Sequence, residues 1–409
     1  MRTVLGLLGL PVFLAFLLPR PALSAEWPGD SGSGIGSGLA AWYEPSGIVW
    51  HDELGVLFLV SDNGYVSRMG SNGSGVVNWY AGGYDLEGIT VADFSSTRLY
   101  LGVENPDSIF EFDVSTGALT GKSWDLTPWM ASVNPNSGLE ALTFVPDGHH
   151  PYGTSRSAGL FYAGMQEDGK IYIFDVDLSS SGSVSHVATL TPVSGRSDLS
   201  DMQYNMHTRT LYLIYDSSNY IREIMTDNTY IAEYTLPGAD QEGISFVRTS
   251  PSDGVIYMGQ DTGGVKKYAD YPVIDTDRDG LTDAEEYWHD GTVTYRAPTD
   301  TNPSLADTDG DTYTDYIEIQ SGTDPLSSGS TPASISVNFQ PFMSTPPSGG
   351  YCIDSGSAKA STGYGWYNLR ALRGDAVRHA LIVIRFSSHA FFSGSTPASS
   401  PITLTSSAP

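Results

Sequence analysis

Short apolar runs that alternate with polar positions recur through the first two-thirds of the chain, and no helical period separates them. Five of these runs open on polar or acidic residues and read EPSGIVW, DLEGITV, GLEALTF, DLSDMQY and DQEGISF. Each is followed, after a short polar turn, by a second apolar stretch that ends in polar residues, as in GVLFLVSDNG and TLYLIYDSSN. Apolar segments of this length between turn residues predict β-strands.

The five runs form an internal repeat with about four strands per unit. The fourth positions of the five runs are Gly47, Gly88, Ala141, Asp201 and Gly243, and they are spaced by 41, 53, 60 and 42 residues. Units of this size are typical of β-propeller blades, whereas a parallel α/β barrel would need a helix after every strand. We therefore predict an all-β fold with a five-bladed β-propeller, with six blades as the alternative. Residues 37–43 are expected to supply the outer strand that closes the fifth blade.

Acidic residues recur at fixed positions of the repeat. In a propeller the innermost strand of each blade lines a central channel, and the second strand runs back beside it. The start of the first strand and the end of the second therefore open on the same mouth, and residues two apart on a strand share a face. Three rows are thus expected at one mouth: Glu44, Asp85, Gly138, Asp198 and Asp240; Ser46, Glu87, Glu140, Ser200 and Glu242; and Asp62, Glu104, Gln166, Asp216 and Asp261.

A cation is one explanation for so many acids in one place. Clustered carboxylates repel each other and raise their own pKa values unless a cation compensates. Calcium accepts six to eight oxygen ligands in flexible geometry. The sequence therefore predicts a metal site in the channel, with Glu87, Glu140 and Glu242 as the candidate ligands. The alternative is that these acids accept backbone N–H bonds at the ends of the blades.

Two further calcium motifs follow the repeats, where DTDRDGLTDAEE and DTDGDTYTDYIE place acids at positions 1, 3, 5, 9 and 12 of a calcium loop. A carbonyl at position 7 adds a ligand, and the position-12 glutamate closes the shell. Gly280 stands at position 6 of the first loop, but Thr312 replaces it in the second, which predicts a distorted or weaker site. The predicted Ca²⁺ ligands are Asp275, Asp277, Asp279, Leu281, Asp283, Glu286, Asp307, Asp309, Asp311, Tyr313, Asp315 and Glu318.

The repeat openings and the V-S-D-N type of strand end resemble the SdiA-regulated (YjiK-like) propellers, which are related in pattern to the phytase-like esterase group. The resemblance covers residues 38–270 and implies a secreted or periplasmic propeller with calcium in its channel. The two loops, with their TDTNP and GTDP turns, resemble thrombospondin type 3 repeats of secreted bacterial proteins. That resemblance implies a calcium-stiffened spacer, short helices near 282–289 and 314–320, and a role for Asp300 and Asp324 in bridging neighbouring ions.

Composition and the chain termini bear on the compartment. The first residues have one early positive charge, an apolar core over residues 4–18 and small residues before Glu26, which predicts a secretory signal peptide. The chain has 47 acidic and 20 basic side chains and a net charge of −27, a balance that disfavours nucleic acid and suits a protein that collects cations. Cys352 is the only cysteine, so no intrachain disulfide forms. We expect a secreted, extracellular or periplasmic protein that associates with the cell surface and has no membrane span in its mature chain.

The tail changes in composition from residue 327, where Ser, Thr, Pro and Gly dominate. The stretch SISVNFQPFMSTPPSGGYCIDSGSAKASTGYGWYN resembles the opening of a β-sandwich domain, but the pattern ends after Asn368. We expect an incomplete β-sandwich-like tail, with a short anchoring tail as the alternative. The predicted division is a signal peptide (1–25), the propeller (26–271), the calcium repeats (272–326) and this tail (327–409).

Two functions are compatible with these features. None of the eight histidines stands in a zinc or nucleophile signature, and the His149–His150 pair is expected in a solvated loop. Basic groups that would hold phosphate are few, namely Lys266–Lys267 and the isolated Arg196 and Arg222. The first function is a secreted calcium-binding propeller that acts as a binding or scaffold module for an extracellular ligand. The second is a calcium-dependent esterase or phosphoesterase with its site at the channel mouth.

Overall fold

The computed structural model describes residues 25–332, except 131, 135, 251, 291–295 and 297–298, together with four strands of the tail. All but the last residue of the predicted signal peptide lies outside the described residues, and so does Cys352. No helix within the described part of the chain is long and apolar enough to cross a membrane.

Five four-stranded antiparallel sheets make up the first domain, which confirms the five-bladed β-propeller. The first strand of each unit of the repeat is the innermost strand of a blade. The strands are β1 (Ser33–Gly34), β2 (Pro45–His51), β3 (Val56–Ser61), β4 (Tyr65–Gly70), β5 (Val77–Tyr80), β6 (Asp85–Thr90), β7 (Arg98–Glu104), β8 (Ser108–Asp113), β9 (Ala118–Asp125), β10 (Leu139–Pro146), β11 (Gly159–Met165), β12 (Ile171–Val176), β13 (Val184–Leu190), β14 (Leu199–Asn205), β15 (Thr210–Tyr215), β16 (Tyr220–Ile224), β17 (Tyr230–Thr235), β18 (Gln241–Arg248), β19 (Asp253–Gln260) and β20 (Val265–Pro272).

Blades one to four follow chain order as β2–β5, β6–β9, β10–β13 and β14–β17, whereas the fifth has the order β18-β19-β20-β1. The closing strand comes from the N-terminal segment, but its expected position at residues 37–43 is wrong. Ser33 and Gly34 pair with Lys267 and Lys266, and a 3₁₀ turn follows them. A two-residue strand of Ser and Gly has no apolar alternation, so hydrophobic periodicity does not reveal it.

Apolar contacts and hydrogen bonds join neighbouring blades. Five clusters of buried apolar side chains lie between successive blades around the whole ring. Polar side chains near the middle of the inner strands also accept backbone N–H bonds from the next blade. The donors and acceptors are Phe144 N and Thr90 Oγ1 (3.0 Å), Tyr204 N and Thr143 Oγ1 (2.9 Å), Phe246 N and Gln203 Oε1, and Trp50 N and Ser245 Oγ (2.9 Å).

Two short helices follow the propeller, α1 (Asp283–Glu286) and α2 (Asp315–Ser321), close to where the calcium motifs predict them. Each begins after a threonine whose side chain accepts the N–H of the third helical residue. Thr282 forms a complete capping box with Glu285, while Thr314 caps α2 alone. Each helix forms the end of its loop, so Glu286 and Glu318 stand at the twelfth positions of the first and second loop.

The segment from the first loop to α1 packs on the face of the propeller at which the inner strands end, here called the lower face. Trp288 is 6% exposed and shares a buried cluster with Ala284 and with Met225 of the β16–β17 turn. Arg248 at the end of β18 lies 3.4 Å from Glu285. The predicted spacer is thus docked on the propeller over its first repeat.

The tail contributes two small antiparallel sheets within its described residues. They pair β21 (Ser334–Val337) with β24 (Ile402–Thr405), and β22 (Tyr364–Arg373) with β23 (Ala376–Arg385). These strands agree with the β-rich tail that the sequence predicts, and its incompleteness stays a prediction.

Candidate functional site

All five inner strands carry a β-bulge or register irregularity near their start. In four of them it lies one residue after the first paired position, and in the second blade it follows Leu86 and leaves both Glu87 and Gly88 outside the ladder. The register shifts lie at Pro45/Gly47, Leu86/Ile89, Leu139/Ala141, Leu199/Asp201 and Gln241/Gly243. A bulge leaves a residue outside the ladder and re-aims its side chain. The residues at the bulges are Ser46, Glu87, Glu140, Ser200 and Glu242, which are the second row that the sequence predicts at the channel mouth.

Close approach of the inner strands explains the glycines beside these bulges. A Cβ at Gly88 would lie 2.6 Å from the backbone nitrogen of Leu142 in the next blade. A Cβ at Gly47 would lie 2.4 Å from the carbonyl oxygen of Glu87. Only glycine lets the strands meet this closely around the channel. Glycine thus accompanies the bulge in three blades, whereas Ala141 and Asp201 stand at the same position of the other two.

Glu87 and Glu140 are two channel glutamates whose pKa values are strongly raised. Burial, followed by the charge of Asp85 and then those of Glu104 and Glu242, raises the pKa of Glu87 well above its usual range. Burial and the charges of Glu87, Glu104 and Glu242 do the same to the pKa of Glu140. These glutamates come from adjacent blades, so the structure brings them to one mouth as the repeat predicts.

Two further glutamates have pKa values near neutrality. Burial raises the pKa of Glu242 to about 8, and the charges of Asp216 and Asp261 add to the effect. Burial also raises the pKa of Glu104 to about 7, against a hydrogen bond donated by the backbone of Gly138. The sequence predicts Glu104 only as a strand end, yet it is 3% exposed.

Other acids at this mouth accept backbone N–H bonds between blades, as the alternative interpretation expects. Glu104 Oε1 accepts the N–H of Gly138 at 2.7 Å, and Asp216 Oδ1 accepts that of Gln241 at 3.0 Å. Asp201 is fully buried, and its two oxygens accept the N–H groups of Met202 and Ile244, both at 2.7 Å. These carboxylates fasten blade two to blade three and blade four to blade five.

The remaining predicted positions form the rim. Burial and the charges of Glu44, Asp85 and Asp261 raise the pKa of Asp62, which shows that the rim acids of different blades influence each other. Strand starts and strand ends are also joined directly, because Asp198 donates its N–H to Gln166 O at 2.7 Å and Asp261 to Asp240 O at 3.0 Å. The three predicted rows therefore meet at one end of the channel.

The acids of the two loops are gathered more closely than those of the channel. Within the described residues, two groups of three acids place ligand oxygens within 4.8 Å of one another, and neither includes a channel glutamate. They are Asp275, Asp277 and Asp279, and Asp307, Asp309 and Asp311. A cation in the channel would be held by more widely spaced side chains than a cation in the loops.

Unpartnered buried oxygens indicate that the loops fit a cation. Both carboxylate oxygens of Glu286 are buried without a hydrogen-bond partner in the described structure, and so is Oε2 of Glu318. Burial and the neighbouring aspartates raise the pKa of Glu286 to about 10 and that of Glu318 to about 7. Buried carboxylates without donors are costly unless an ion compensates them. Oxygen-only donor sets of this kind suit Ca²⁺.

The two loops differ at their sixth positions. Gly280 has φ +112° in the first loop, and Thr312 has φ +88° in the second. Glycine adopts this region without strain, whereas a β-branched residue does not. The second loop therefore carries the local strain that the Thr312 replacement predicts.

Several loop acids also accept hydrogen bonds from nearby backbone and side-chain groups. Asp283 accepts both the N–H and the hydroxyl of Thr276, each at 2.8 Å. Asp279 Oδ2 accepts the N–H of Tyr316, at 2.8 Å, which ties α2 to the first loop. Asp300 accepts the N–H groups of Asp290 and Arg296, so its oxygens organise the turn between the loops. Its bridging of ions stays a prediction, as does that of Asp324.

The expectation of a solvated His149–His150 pair is wrong. His150 is 5% exposed, and a nitrogen of His149 lies 2.6 Å from the hydroxyl of Tyr204. Burial lowers the pKa of His149 to about 4, with Arg209 adding to the effect. The ring of Trp288 lies 6.4 Å from that of His149, so the docked segment helps to cover the turn.

The sequence suggests that Arg196 and Arg222 are isolated, but in the structure both pair with Glu233. The distances are 2.8 Å from Arg196 Nη1 and 2.9 Å from Arg222 Nη1 to the same carboxylate oxygen. The two guanidinium groups thus belong to one ion-pair network on blade four, next to Tyr215, Tyr220 and Tyr230.

Comparisons with known proteins agree with this organisation. Residues 41–215 match the phytase-like family, described as "Esterase-like activity of phytase". Residues 275–292 and 307–328 match the bacterial TSP3 repeat. These matches confirm the prediction of a phytase-like propeller followed by thrombospondin type 3 repeats, while the SdiA-regulated name stays a prediction.

Solved structures with similar folds include the glutaminyl cyclase of Myxococcus xanthus, at 13% identity and a TM-score of 0.40. The match covers 56% of this chain and 91% of that one. No curated protein sequence matches the chain.

Proposed function

We propose that the chain is a secreted calcium-binding β-propeller that serves as a binding or scaffold module for an extracellular ligand. In this proposal the channel mouth holds a divalent cation, and the thrombospondin type 3 repeats hold Ca²⁺ on the opposite face. The observation that carries the proposal is the bulge in every inner strand, which gathers Glu87, Glu140 and Glu242 where their charges are poorly solvated.

A cation and protons compete for these glutamates. Burial and mutual repulsion raise the pKa values of all three, so each ionised carboxylate there destabilises the others. A divalent cation removes that repulsion, and its binding must then release the protons that the glutamates hold. The expected ligands are Glu87, Glu140 and Glu242, with Asp85 and Glu104 beside them.

Calorimetry tests this site through its protons. The enthalpy of Ca²⁺ binding is measured near neutral pH in two buffers with different ionisation enthalpies, and the difference gives the protons released. We expect a class of ions whose binding releases at least about one proton each and disappears in the E87Q/E140Q/E242Q variant. The loop ligands are unchanged in that variant, so their ions are the internal control. Unchanged stoichiometry and proton release would contradict the channel site.

The loops would bind Ca²⁺ through the twelve predicted ligands and use it for structure. Calcium satisfies the unpartnered oxygens of Glu286 and Glu318, and its binding free energy becomes folding free energy of the loops. Extracellular calcium is concentrated enough to fill even weak sites of this kind. The proposed secretory leader over residues 1–25 agrees with this compartment. The rest of the proposed division is the propeller (26–271), the calcium repeats (272–326) and the tail (327–409).

Calcium-dependent ester or phosphoester hydrolysis is the second candidate, and the esterase-like family match favours it. Glu104 and Glu242 have pKa values of about 7 and about 8, which suit a general acid and a general base near neutral pH. A bound cation would supply Lewis acidity and a site for water. Phosphate esters fit less well than acyl esters, because the mouth is lined by acids.

Activity measurements separate the two candidates. Generic acyl and phosphate esters are assayed with and without Ca²⁺, with the E87Q/E140Q/E242Q variant and a D125N control on an outer strand. Calcium-dependent turnover that the triple variant loses and D125N keeps would establish the hydrolase. If neither the wild type nor D125N turns over these esters under calcium saturation, the binding module is favoured.

A further inference from the structure

A second candidate site lies far from the acidic mouth, between the lower face of the propeller and the docked calcium repeats. It is a cleft of about 730 Å³. The propeller contributes Met206, Arg209 and Arg248, and the repeats contribute Trp288, Tyr316 and Ile319. Neither the family matches nor the channel site assigns a role to it.

Two arginines and one glutamate line the cleft, in a chain whose net charge is −27. Arg209 stands in the β14–β15 turn with φ +54°, and its guanidinium carbon lies 5.4 Å from the centre of the Trp288 ring. Arg209 is in none of the ion pairs formed among the described residues. Cation–π contact fixes its position while leaving its charge without a carboxylate.

Arg248 adds a second positive charge that is held in place. It donates to His207 O at 3.0 Å and to Gly280 O at 3.4 Å, and it pairs with Glu285 at 3.4 Å. Arg248 therefore joins the propeller to the first calcium loop. Arg209 is left as the group better suited to an incoming anion, since guanidinium recognises carboxylate and phosphate in two-point fashion.

Part of the lining, here called the apolar wall, exposes apolar side chains to solvent. Met206 is 38% exposed, and Tyr316 and Ile319 are each 37% exposed. A positive group beside exposed apolar side chains matches a ligand with an anionic end and an apolar body. This arrangement would not favour inorganic ions, because they gain nothing from the apolar wall.

Calcium coordination and the shape of the cleft are linked through shared residues. Gly280 and Leu281 line the cleft and belong to the first loop, whose position-7 carbonyl is a predicted ligand. Tyr316, on the apolar wall, donates its N–H to the loop acid Asp279 at 2.8 Å. Trp288 follows directly after α1 and its ligand Glu286. A disordered first loop would therefore remove one wall of the cleft.

We propose that this cleft binds a small organic anion, a carboxylate or phosphoryl group attached to an apolar or aromatic body, and that it does so only when the first calcium loop is formed. Arg209 anchors the anionic group. Met206, Tyr316 and Ile319 contact the body of the ligand.

Isothermal titration calorimetry of the full chain in excess Ca²⁺ tests the proposal with benzoate and phenylphosphonate, neither of which can be hydrolysed at the channel mouth. The two probes distinguish a carboxylate from a phosphoryl ligand, and benzyl alcohol and inorganic phosphate report on either half alone. We expect at least one aromatic anion to bind in a single class of sites, and both half-ligands to bind at least about tenfold more weakly.

Variants locate the binding. R209Q is expected to weaken the bound anion at least about tenfold, while R68Q, which removes an arginine from blade one, leaves the affinity unchanged. E286Q removes the position-12 ligand of the first loop and should abolish anion binding, with the melting of the propeller retained as the check on folding. Binding by R209Q at wild-type affinity, or no saturable binding by either anion up to roughly 10 mM, would overturn the site. Wild-type affinity in E286Q would overturn its dependence on calcium.

Discussion

Glu223 offers a direct test of how burial governs carboxyl chemistry in this propeller. It lies on β16, is 2% exposed, and accepts a hydrogen bond of 2.6 Å from the hydroxyl of Tyr271. Burial raises its pKa from 4.5 to about 7, and the bond from Tyr271 offsets only part of that effect. The substitution E223Q keeps the shape and the hydrogen-bond acceptor but removes the ionisable group.

The sign of the effect follows from the raised pKa. Below pH 4.5 Glu223 is protonated in both states and folding carries no charge penalty. As the pH rises from 4.5 to about 7, the unfolded chain ionises first, so the folded state loses stability relative to it. The interval between the two pKa values corresponds to about 3 kcal/mol, since a tenfold change in proton affinity is about 1.4 kcal/mol. E223Q escapes this loss.

Urea unfolding with saturating Ca²⁺ measures the effect as a difference between wild type and E223Q across this pH range. We expect the variant to gain about 3 kcal/mol relative to wild type between pH 4.5 and about 7, with no further change above that. Comparing the two proteins at each pH cancels the titration of the other carboxylates. A difference that stays constant across the range, or that moves in favour of wild type, would refute the reasoning.

Glu233 on β17 is a matched control with the opposite sign. Burial acts to raise its pKa, but the bonds and charges of Arg196 and Arg222 outweigh burial and hold the pKa below its usual range. Its contribution to stability is therefore present above pH 4.5 and is lost as the pH falls through the lower folded value. E233Q should destabilise the protein by about 3 kcal/mol at neutral pH and by less in acid.

Three further changes have expected outcomes. T312G relieves a left-handed conformation and should tighten calcium binding by the second loop about tenfold in calorimetry, whereas G280A should weaken the first loop. W288A removes the buried ring that docks the first repeat, so proteolysis after α1 should accelerate. The propeller itself should melt within a few degrees of wild type. Unchanged proteolysis would contradict the docking. G88A places a Cβ 2.6 Å from the next inner strand and should cost about 1–3 kcal/mol in urea unfolding, while G329A, which has open space, should be neutral.

The blade count and the calcium loops can be predicted from the sequence because both depend on regular residue spacing. Apolar runs recur at a blade-sized interval, and each loop places its acids at fixed positions around a sharp turn. The acids at the channel mouth follow from strand direction alone, since the start of each inner strand and the end of the next strand share a mouth. Period and local spacing are thus enough to predict these features.

Features that depend on contacts between distant segments cannot be predicted in this way. The closing strand is only Ser33–Gly34, and its backbone pairing with β20 leaves no side-chain pattern. His149 lies in a segment rich in proline and glycine, with Pro146 and Gly148 before it and Pro151 and Gly153 after it. Such a segment is typical of solvated loops, yet Trp288 from a distant segment covers His149. The docking of the first repeat likewise rests on Met225, which is an ordinary turn residue in the sequence.

At the channel mouth, the role of each acid depends on whether it stays in the ladder or stands at a bulge. Residues that remain in register, such as Asp201, or that end the second strand, such as Asp216, accept N–H groups and fasten adjacent blades. The bulged residues are released from the ladder, and three of the five are glutamates while two are serines. In the proposed channel site, three carboxylates against a divalent cation would leave one negative charge. Five glutamates would leave three such charges in the same poorly solvated space, so serine at two bulges fits the proposal of a single ion.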